Sequence, residues 1–369
     1  MNGRPVLCIA GGGTGGHVMP ALALADAARD RWPELRVEFI GAERGLEARL
    51  LPEHGESVLL LAMHSVKGAG IWQTLRVLLW ELPQAVRIIR RSWRDQRPDL
   101  LVGVGGYASV SGVVAALISR IPVVLYEQNA MPGLVNRKLA RLCRSIMLGF
   151  EVAKNHLGSH VHSVMTGNVV RQSIAETQWQ AHTPPCLLVL GGSQGASILN
   201  QTVPEACALL AAKGHVFNVR HIGGSDEAAL KQTRDRYERA GVKTDVMSFC
   251  DDMAAFYACG DLMIARAGAM TVGEAAICGM PSLFVPLPSA ADDHQRYNAE
   301  SLAQAGAACV LDQKLMTAET LAAEIEQYLF NPERLKQMSQ AAYAVAPHDA
   351  GQKQLDVLSG YLPVMGAQL

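Results

Sequence analysis

The chain has no Cys-x-x-Cys pair and no Cys/His spacing of the metal-binding type, although it carries eight cysteines, at positions 8, 143, 186, 207, 250, 259, 278 and 309. That excludes the common zinc ribbons and dithiol redox motifs. Cysteines set inside apolar runs read instead as reduced, mostly buried thiols of a cytoplasmic protein. Neither sign of charge is in excess, with 33 Lys and Arg against 34 Asp and Glu, for a net charge of -1. No global field draws the chain to nucleic acid or to an anionic surface, so any such attraction is local. No low-complexity tract occurs, and Asp-x-Asp occurs nowhere, so the familiar metal clamp on a nucleotide-sugar diphosphate is missing. The start, Met1-Asn2-Gly3-Arg4-Pro5, leads into only about five apolar residues before glycines intervene, too few for a secretory core, and no export signal is expected. The longest uncharged run, Leu101 to Ser119, has the length of a membrane span. Its Gly105-Gly106 pair and the small residues after it fit a buried strand, a glycine turn and a helix packed on a sheet.

What is present is a glycine-rich turn, Gly11-Gly12-Gly13-Thr14-Gly15-Gly16-His17, between the apolar run Val6 to Ala10 and a helix-like stretch from Met19 to Arg31. Glycines let a backbone approach a ligand closely, and the first helical amides with the helix dipole favour an anion there. A related turn, Gly191-Gly192-Ser193-Gln194-Gly195-Ala196, follows the apolar run Cys186 to Leu190. Two such units in 369 residues predict two nucleotide-binding-type halves. Strand-like runs at 37–40, 58–61, 101–104, 123–126, 216–222, 246–249, 262–265 and 283–285 alternate with helical stretches, which predicts parallel sheets covered by helices. The expected boundary lies at Gly167 to Arg171, giving halves of 1–169 and 170–347, with a closing helix over 348–369 that crosses back to the first half.

The glycines at 11, 13 and 16 also satisfy the G-x-G-x-x-G of a nicotinamide-dependent Rossmann oxidoreductase, with Glu43 as the acidic residue for the ribose. They could equally serve close strand-to-helix packing alone. In the second half, Arg266 to Glu274 follows a buried strand and opens a helix, and Thr271 with Glu274 has capping-box spacing. A helix start at the carboxyl end of a parallel strand is also where open α/β folds place ligands, so a carboxylate there can take a ribose diol. A polar cluster, Asp292 to Ala299, stands at a further loop-to-helix boundary and reads either as a solvated helix start or as part of that site.

Taken together, these stretches resemble the bacterial UDP-N-acetylglucosamine transferases of glycosyltransferase family 28. The resemblance rests on 12–17, Gly105-Gly106-Tyr107, Glu127-Gln128-Asn129, Gly167-Asn168 with Arg171, 191–196, Asp251-Asp252-Met253, 266–274, and His294-Gln295 with Asn298, in order along most of the chain. It implies an α/β GT-B fold of two Rossmann-like parallel-sheet domains facing a central cleft, with the donor UDP-N-acetylglucosamine bound mainly by the second. Implied donor contacts are Thr14, Gly15, Gly16, Asn129, Arg171, Ser193, Cys250, Ala269, Met270, Thr271, Val272, Gly273, Glu274, Gln295 and Asn298. Glu274 would accept from the ribose hydroxyls, and Gln295 and Asn298 would read the sugar. The leaving diphosphate would face Arg171, Ser193 and helix N-termini, with no cofactor and no tightly bound metal. The implied reaction is inverting transfer to the muramoyl 4-hydroxyl of the undecaprenyl-pyrophosphate-linked acceptor, lipid I, forming lipid II for peptidoglycan synthesis. His17 is the candidate base, though a histidine at a helix start also serves as an anion ligand or a cap. Two positions depart from the family pattern: Cys250 replaces a bulkier apolar residue, and Val169 a proline, which leaves the boundary less rigid.

A lipid-linked acceptor requires a membrane surface. Between Ile71 and Trp93, apolar residues recur at three- and four-residue steps (71, 75, 78, 79, 82, 86, 89, 93) among Arg76, Arg87, Arg90 and Arg91, with Arg94 just beyond and Pro83 expected to kink or split the helix. Ile71, Trp72, Leu75, Leu79, Trp80, Arg87, Arg90 and Arg91 are the expected contacts with anionic lipid on the cytoplasmic side of the inner membrane. The competing reading packs this stripe against the domain core. Cell-wall assembly proteins are further implied partners and nucleic acid is not. A non-catalytic nucleotide-sugar scaffold stays open beside the transferase and the oxidoreductase.

Overall fold

The computed structural model describes residues 4–13, 15–64, 70–192 and 195–362. Contacts divide the chain into two units, one running through Val169 and including the segment from Asp349, the other spanning Val170–His348.

The first unit is built on β1 (Val6–Gly11), α1 (Gly15–Arg31), β2 (Arg36–Ala42), α2 (Glu47–Glu53), β3 (Val58–Leu61), α3 (Ile71–Arg76), α4 (Leu82–Ser92), β4 (Leu100–Gly105), α5 (Tyr107–Ile118), β5 (Val123–Glu127), α6 (Leu134–Leu139), β6 (Ser145–Leu148) and β7 (Ser163–Met165). All seven strands are parallel, in the order β3-β2-β1-β4-β5-β6-β7. Alternate residues of β1 feed opposite faces. Leu7 and Ile9 join a core with Leu22, Leu24 and Ala25 of α1, whereas Cys8 and Ala10 join one with Ile89 of α4 and Val113 of α5. Burial on both faces is why these strands read as unbroken apolar runs.

The second unit holds α7 (Gln172–Ala175), β8 (Cys186–Leu190), α8 (Ser197–Ala212), β9 (Asn218–Ile222), α9 (Glu227–Arg239), β10 (Lys243–Met247), α10 (Met253–Ala258), β11 (Leu262–Ala265), α11 (Ala269–Cys278), β12 (Ser282–Phe284), α12 (His294–Ala303), β13 (Ala308–Val310), α13 (Ala318–Leu329) and α14 (Pro332–Val345). Its six parallel strands run β10-β9-β8-β11-β12-β13. Leu187 and Val189 of β8 pack with Leu199 and Val203 of α8 and Ile325 of α13. The buried His221 of β9 lies between Tyr237 Oη and Asn200 Oδ1, each at 3.0 Å, and desolvation lowers its pKa to about 3. It is a core histidine, neutral at physiological pH.

The run Leu101 to Ser119 is β4 followed by α5, and among the described residues no helix is long and apolar enough to cross a membrane. Two expected strands shift: 216–222 begins at Asn218 and 246–249 belongs to Lys243–Met247, because Val216 and Phe249 stand exposed beyond the ladder. The expected closing helix is shorter than 348–369. As α15 it spans Ala350–Ser359, Gly360 caps it, and 363–369 lie outside the described residues. Its buried Gln354 donates from Nε2 to Gly167 O at 2.9 Å. Val169 gives its amide to Tyr126 Oη at 3.3 Å, a bond the family's proline has no N–H to make.

The apolar stripe of 71–93 divides. On α4, Ala85, Val86 and Ile89, with Trp93 beyond its end, enter the core. Trp72, Leu75, Leu78, Leu79 and Trp80 face solvent instead. The α-helical pattern is split just ahead of Pro83, as expected: α3 ends at Arg76, the turn Val77–Glu81 is π-helical, and Pro83 falls in the first turn of α4.

Candidate functional site

In the first unit the strand order reverses between β1 and β4, the place where open parallel sheets leave a crevice at their carboxyl ends. Both strands end there in glycine. The Gly12 amide donates to Gly105 O at 3.2 Å, and Gly106 has φ +83°, where a Cβ would lie 2.3 Å from Gly12 O. Only glycine lets the two turns touch this closely. His17, in the first turn of α1, lies against them: a Cβ on Gly105 would meet its ring at 2.9 Å. His17 Nδ1 is 3.0 Å from Gly12 O, and since a carbonyl only accepts, Nδ1 carries a proton, so the neutral form of the ring has its lone pair on Nε2. That tautomer suits a general base. Gly15 and Gly16 open α1 beside it, while Thr14 lies outside the described residues.

One strand further along the same edge, the buried carboxylate of Glu127 gathers four donors. Its Oε1 accepts from Asn129 N at 3.0 Å and Asn129 Nδ2 at 3.1 Å, and its Oε2 from Gly133 N and Asn136 Nδ2, both at 2.9 Å. Asn129 is thereby held at the carboxyl end of β5.

The second unit repeats the plan, with its strand order reversing between β8 and β11. After β8, Gly192 and Gly195 turn with φ +81° and +71°; Ser193 lies outside the described residues. After β11 comes α11, whose start corrects the expected capping box. The N-cap is Gly268, without a side-chain cap, so Thr271 sits inside the first turn and Glu274 is released from capping. The capping box of this unit forms instead at Thr317 and Thr320. Glu274 Oε2 accepts from the fully buried Tyr257 hydroxyl at 2.8 Å. Desolvation raises the Glu274 pKa, opposed by the Tyr257 bond and by the charge of Arg171, which opens the unit ahead of α7. Ala269 and Val272 of α11 are buried; Met270, Thr271 and Gly273 are partly exposed.

Around this helix start, polar side chains tie the loops together. Arg266 donates from Nη1 to Val285 O at 2.9 Å and Pro286 O at 3.3 Å, and Gln295 Oε1 accepts from Leu287 N at 3.0 Å. Asn298 is fully buried and donates from Nδ2 to Ala267 O at 3.1 Å, tying α12 to the loop ahead of α11. Cys250 is partly exposed in the loop after β10, its thiol donating to Asp252 O at 3.2 Å. Tyr257 and the structural use of Glu127 were not legible in the sequence. Each depends on a contact whose partner no local spacing identifies.

The Glycosyltransferase family 28 N-terminal domain matches residues 7–148 and the Glycosyltransferase family 28 C-terminal domain residues 186–355. A protein of Anaeromyxobacter sp. (strain Fw109-5), named UDP-N-acetylglucosamine--N-acetylmuramyl-(pentapeptide) pyrophosphoryl-undecaprenol N-acetylglucosamine transferase, is 41% identical over 355 residues, 95% of this chain and 92% of that protein. One of the same name from Alkalilimnicola ehrlichii is 42% identical over 356 residues, 94% of this chain and 96% of that one. The crystal structure of Acinetobacter baumannii MurG superposes with a TM-score of 0.77 at 31% identity, covering 96% of this chain and 99% of that one. Neither the oxidoreductase nor the scaffold reading finds support among these likenesses.

Proposed function

We propose that this chain, which belongs to glycosyltransferase family 28, transfers N-acetylglucosamine from UDP-N-acetylglucosamine to the muramoyl sugar of lipid I, making lipid II for peptidoglycan synthesis. The observation that carries this reading is identity of about 40% to transferases of that name, extending through both domains. His17 Nε2 takes the proton of the attacking 4-hydroxyl as that oxygen bonds to the anomeric carbon and UDP departs, inverting the configuration in one step. Glu274, steadied by Tyr257, accepts from the ribose hydroxyls. The N-terminus of α11 and Arg171 stabilise the charge that grows on the diphosphate, the part a metal plays where Asp-x-Asp is present. With labelled UDP-N-acetylglucosamine, lipid I and excess EDTA, the purified protein forms labelled lipid II. Release of free sugar without lipid product, or binding of NADH in place of the UDP-sugar, would overturn the assignment.

The acceptor reaches the protein from the cytoplasmic face of the inner membrane, and the surface offered to it is the solvent-facing part of 72–80. Trp72, Leu79 and Trp80 are 86%, 69% and 74% exposed, and Arg87, Arg90 and Arg91 stand out from α4 nearby in the chain. Indole rings anchor at headgroup level while arginines meet anionic lipid. The Ile71 side chain falls outside the described set. The wild-type protein floats with vesicles containing anionic lipid, and simultaneous replacement of Trp72, Trp80 and Arg90 by alanine, serine or glutamine abolishes most of that. Undiminished flotation of the triple variant would remove this surface from the account.

A further inference from the structure

Glu47 opens α2, and nothing in the sequence pattern around it separates it from a surface acid of a first helical turn; its side chain is nevertheless wholly buried. Its Oε2 accepts from Gly13 N at 2.6 Å and its Oε1 from Ala42 N at 2.8 Å. The carboxylate therefore joins the β1–α1 glycine turn to the end of β2. Three glycines make the room: a Cβ would lie 2.1 Å from Oε1 if built on Gly12, 2.1 Å from Oε2 on Gly45, and 2.4 Å from Cγ on Gly41. A buried carboxylate is costly unless amide dipoles meet it, and an acid shaped into the fold this closely holds those amides in one arrangement.

The turn it holds is the one whose Gly12 carbonyl accepts from His17 Nδ1. We propose that Glu47 is a positioning residue for the transfer step: through the Gly13 amide it fixes the Gly12 carbonyl, and through that carbonyl the tautomer and direction of the His17 imidazole. This rests on the reading of His17 as the base. The chain of contacts runs from Glu47 through consecutive glycines to the imidazole, so the lone pair on Nε2 is aimed before any substrate arrives. Without the carboxylate, Gly12 and Gly13, at φ +151° and +96°, are free to take other conformations.

The test is a double-mutant cycle in the full-length protein. The carboxamide of Glu47→Gln is nearly isosteric, but its single oxygen can accept from only one of the two amides and its NH2 confronts the other. Alone, Glu47→Gln lowers kcat by about 10- to 100-fold. In a His17→Gln background the same change costs less than about twofold, because the group it positions is already gone. An equal loss in both backgrounds overturns the proposal, since Glu47 would then act on folding or on substrate without His17. Near-normal turnover of His17→Gln by itself removes the base reading instead. Nitrogen-15 spectra of labelled histidine decide the positioning in that event: the wild-type ring is the Nδ1–H tautomer, Glu47→Gln gives a mixture, and an unchanged tautomer defeats the proposal. If Glu47→Gln does not fold, Gly45→Ala applies the same test, because its added methyl would lie 2.1 Å from Oε2 and so displaces the carboxylate without removing it.

Discussion

Turnover by His17→Gln falls about 10²- to 10⁴-fold, while the Kd for UDP-N-acetylglucosamine changes less than about threefold. Glutamine reaches about as far as the imidazole Nε2 and has no basic nitrogen, so the variant loses the proton acceptor while keeping a polar side chain at the start of α1. The muramoyl 4-hydroxyl is a poor nucleophile until its proton has somewhere to go, which places the loss in the chemical step. Single-turnover transfer of labelled sugar to lipid I measures that step separately from product release. A rate within about threefold of wild type would assign His17 to anchoring the turn, with the base elsewhere.

The second large effect belongs to the donor. Glu274→Gln weakens binding of UDP-N-acetylglucosamine by about 10- to 100-fold, the worth of one to two hydrogen bonds to a charged acceptor. The Tyr257 hydroxyl can still donate to the new amide oxygen, so the helix start keeps its shape and the missing charge dominates the result. Tyr257→Phe acts in the same direction more weakly, by freeing Oε2 to rotate away. The pH dependence has a definite sign. Burial holds the Glu274 pKa above its ordinary 4.5, and the ionised form is the one that accepts from both ribose hydroxyls. Wild-type affinity therefore declines as pH drops toward that raised pKa, and donor binding takes place with proton release in that range. In Glu274→Gln the affinity is flat over the same range. Calorimetric titrations in buffers of differing ionisation enthalpy read both effects, and a pH-independent wild-type Kd would take Glu274 out of the ribose site.

Much of this molecule is written locally. Unbroken apolar runs such as Leu100 to Val104, each followed by glycine and then a helix, dictate parallel strands buried on both faces, because nothing else hides such residues on either side. The glycine turns at 11–13 and 105–106 are likewise legible, since conformation and close approach at these strand ends exclude a Cβ. Short strands carry too little pattern to be seen. Ser163–Met165 and Ala308–Val310 are three residues each and exist because a neighbouring strand offers its edge. The helix stripe of 71–93 shows the same limit in another form. Its spacing is right for an apolar face throughout, but α4 packs three apolar residues into the core, whereas Val77 enters it from 72–80 and Trp72, Leu75, Leu78, Leu79 and Trp80 stay exposed.

The sequence by itself determined that there are two parallel α/β halves with a glycine turn after the first strand of each, because those follow from periodicity and from glycine within a few residues. Which acid serves which loop was decided only by the tertiary structure. Glu47 reaches Gly13 across 34 positions, Tyr257 reaches Glu274 across 17, and Gln354 closes on Gly167 across 187. A hydrogen bond has a range of one contact in space and no memory of distance along the chain, so the partners that orient the site become visible only once the sheets have brought them together.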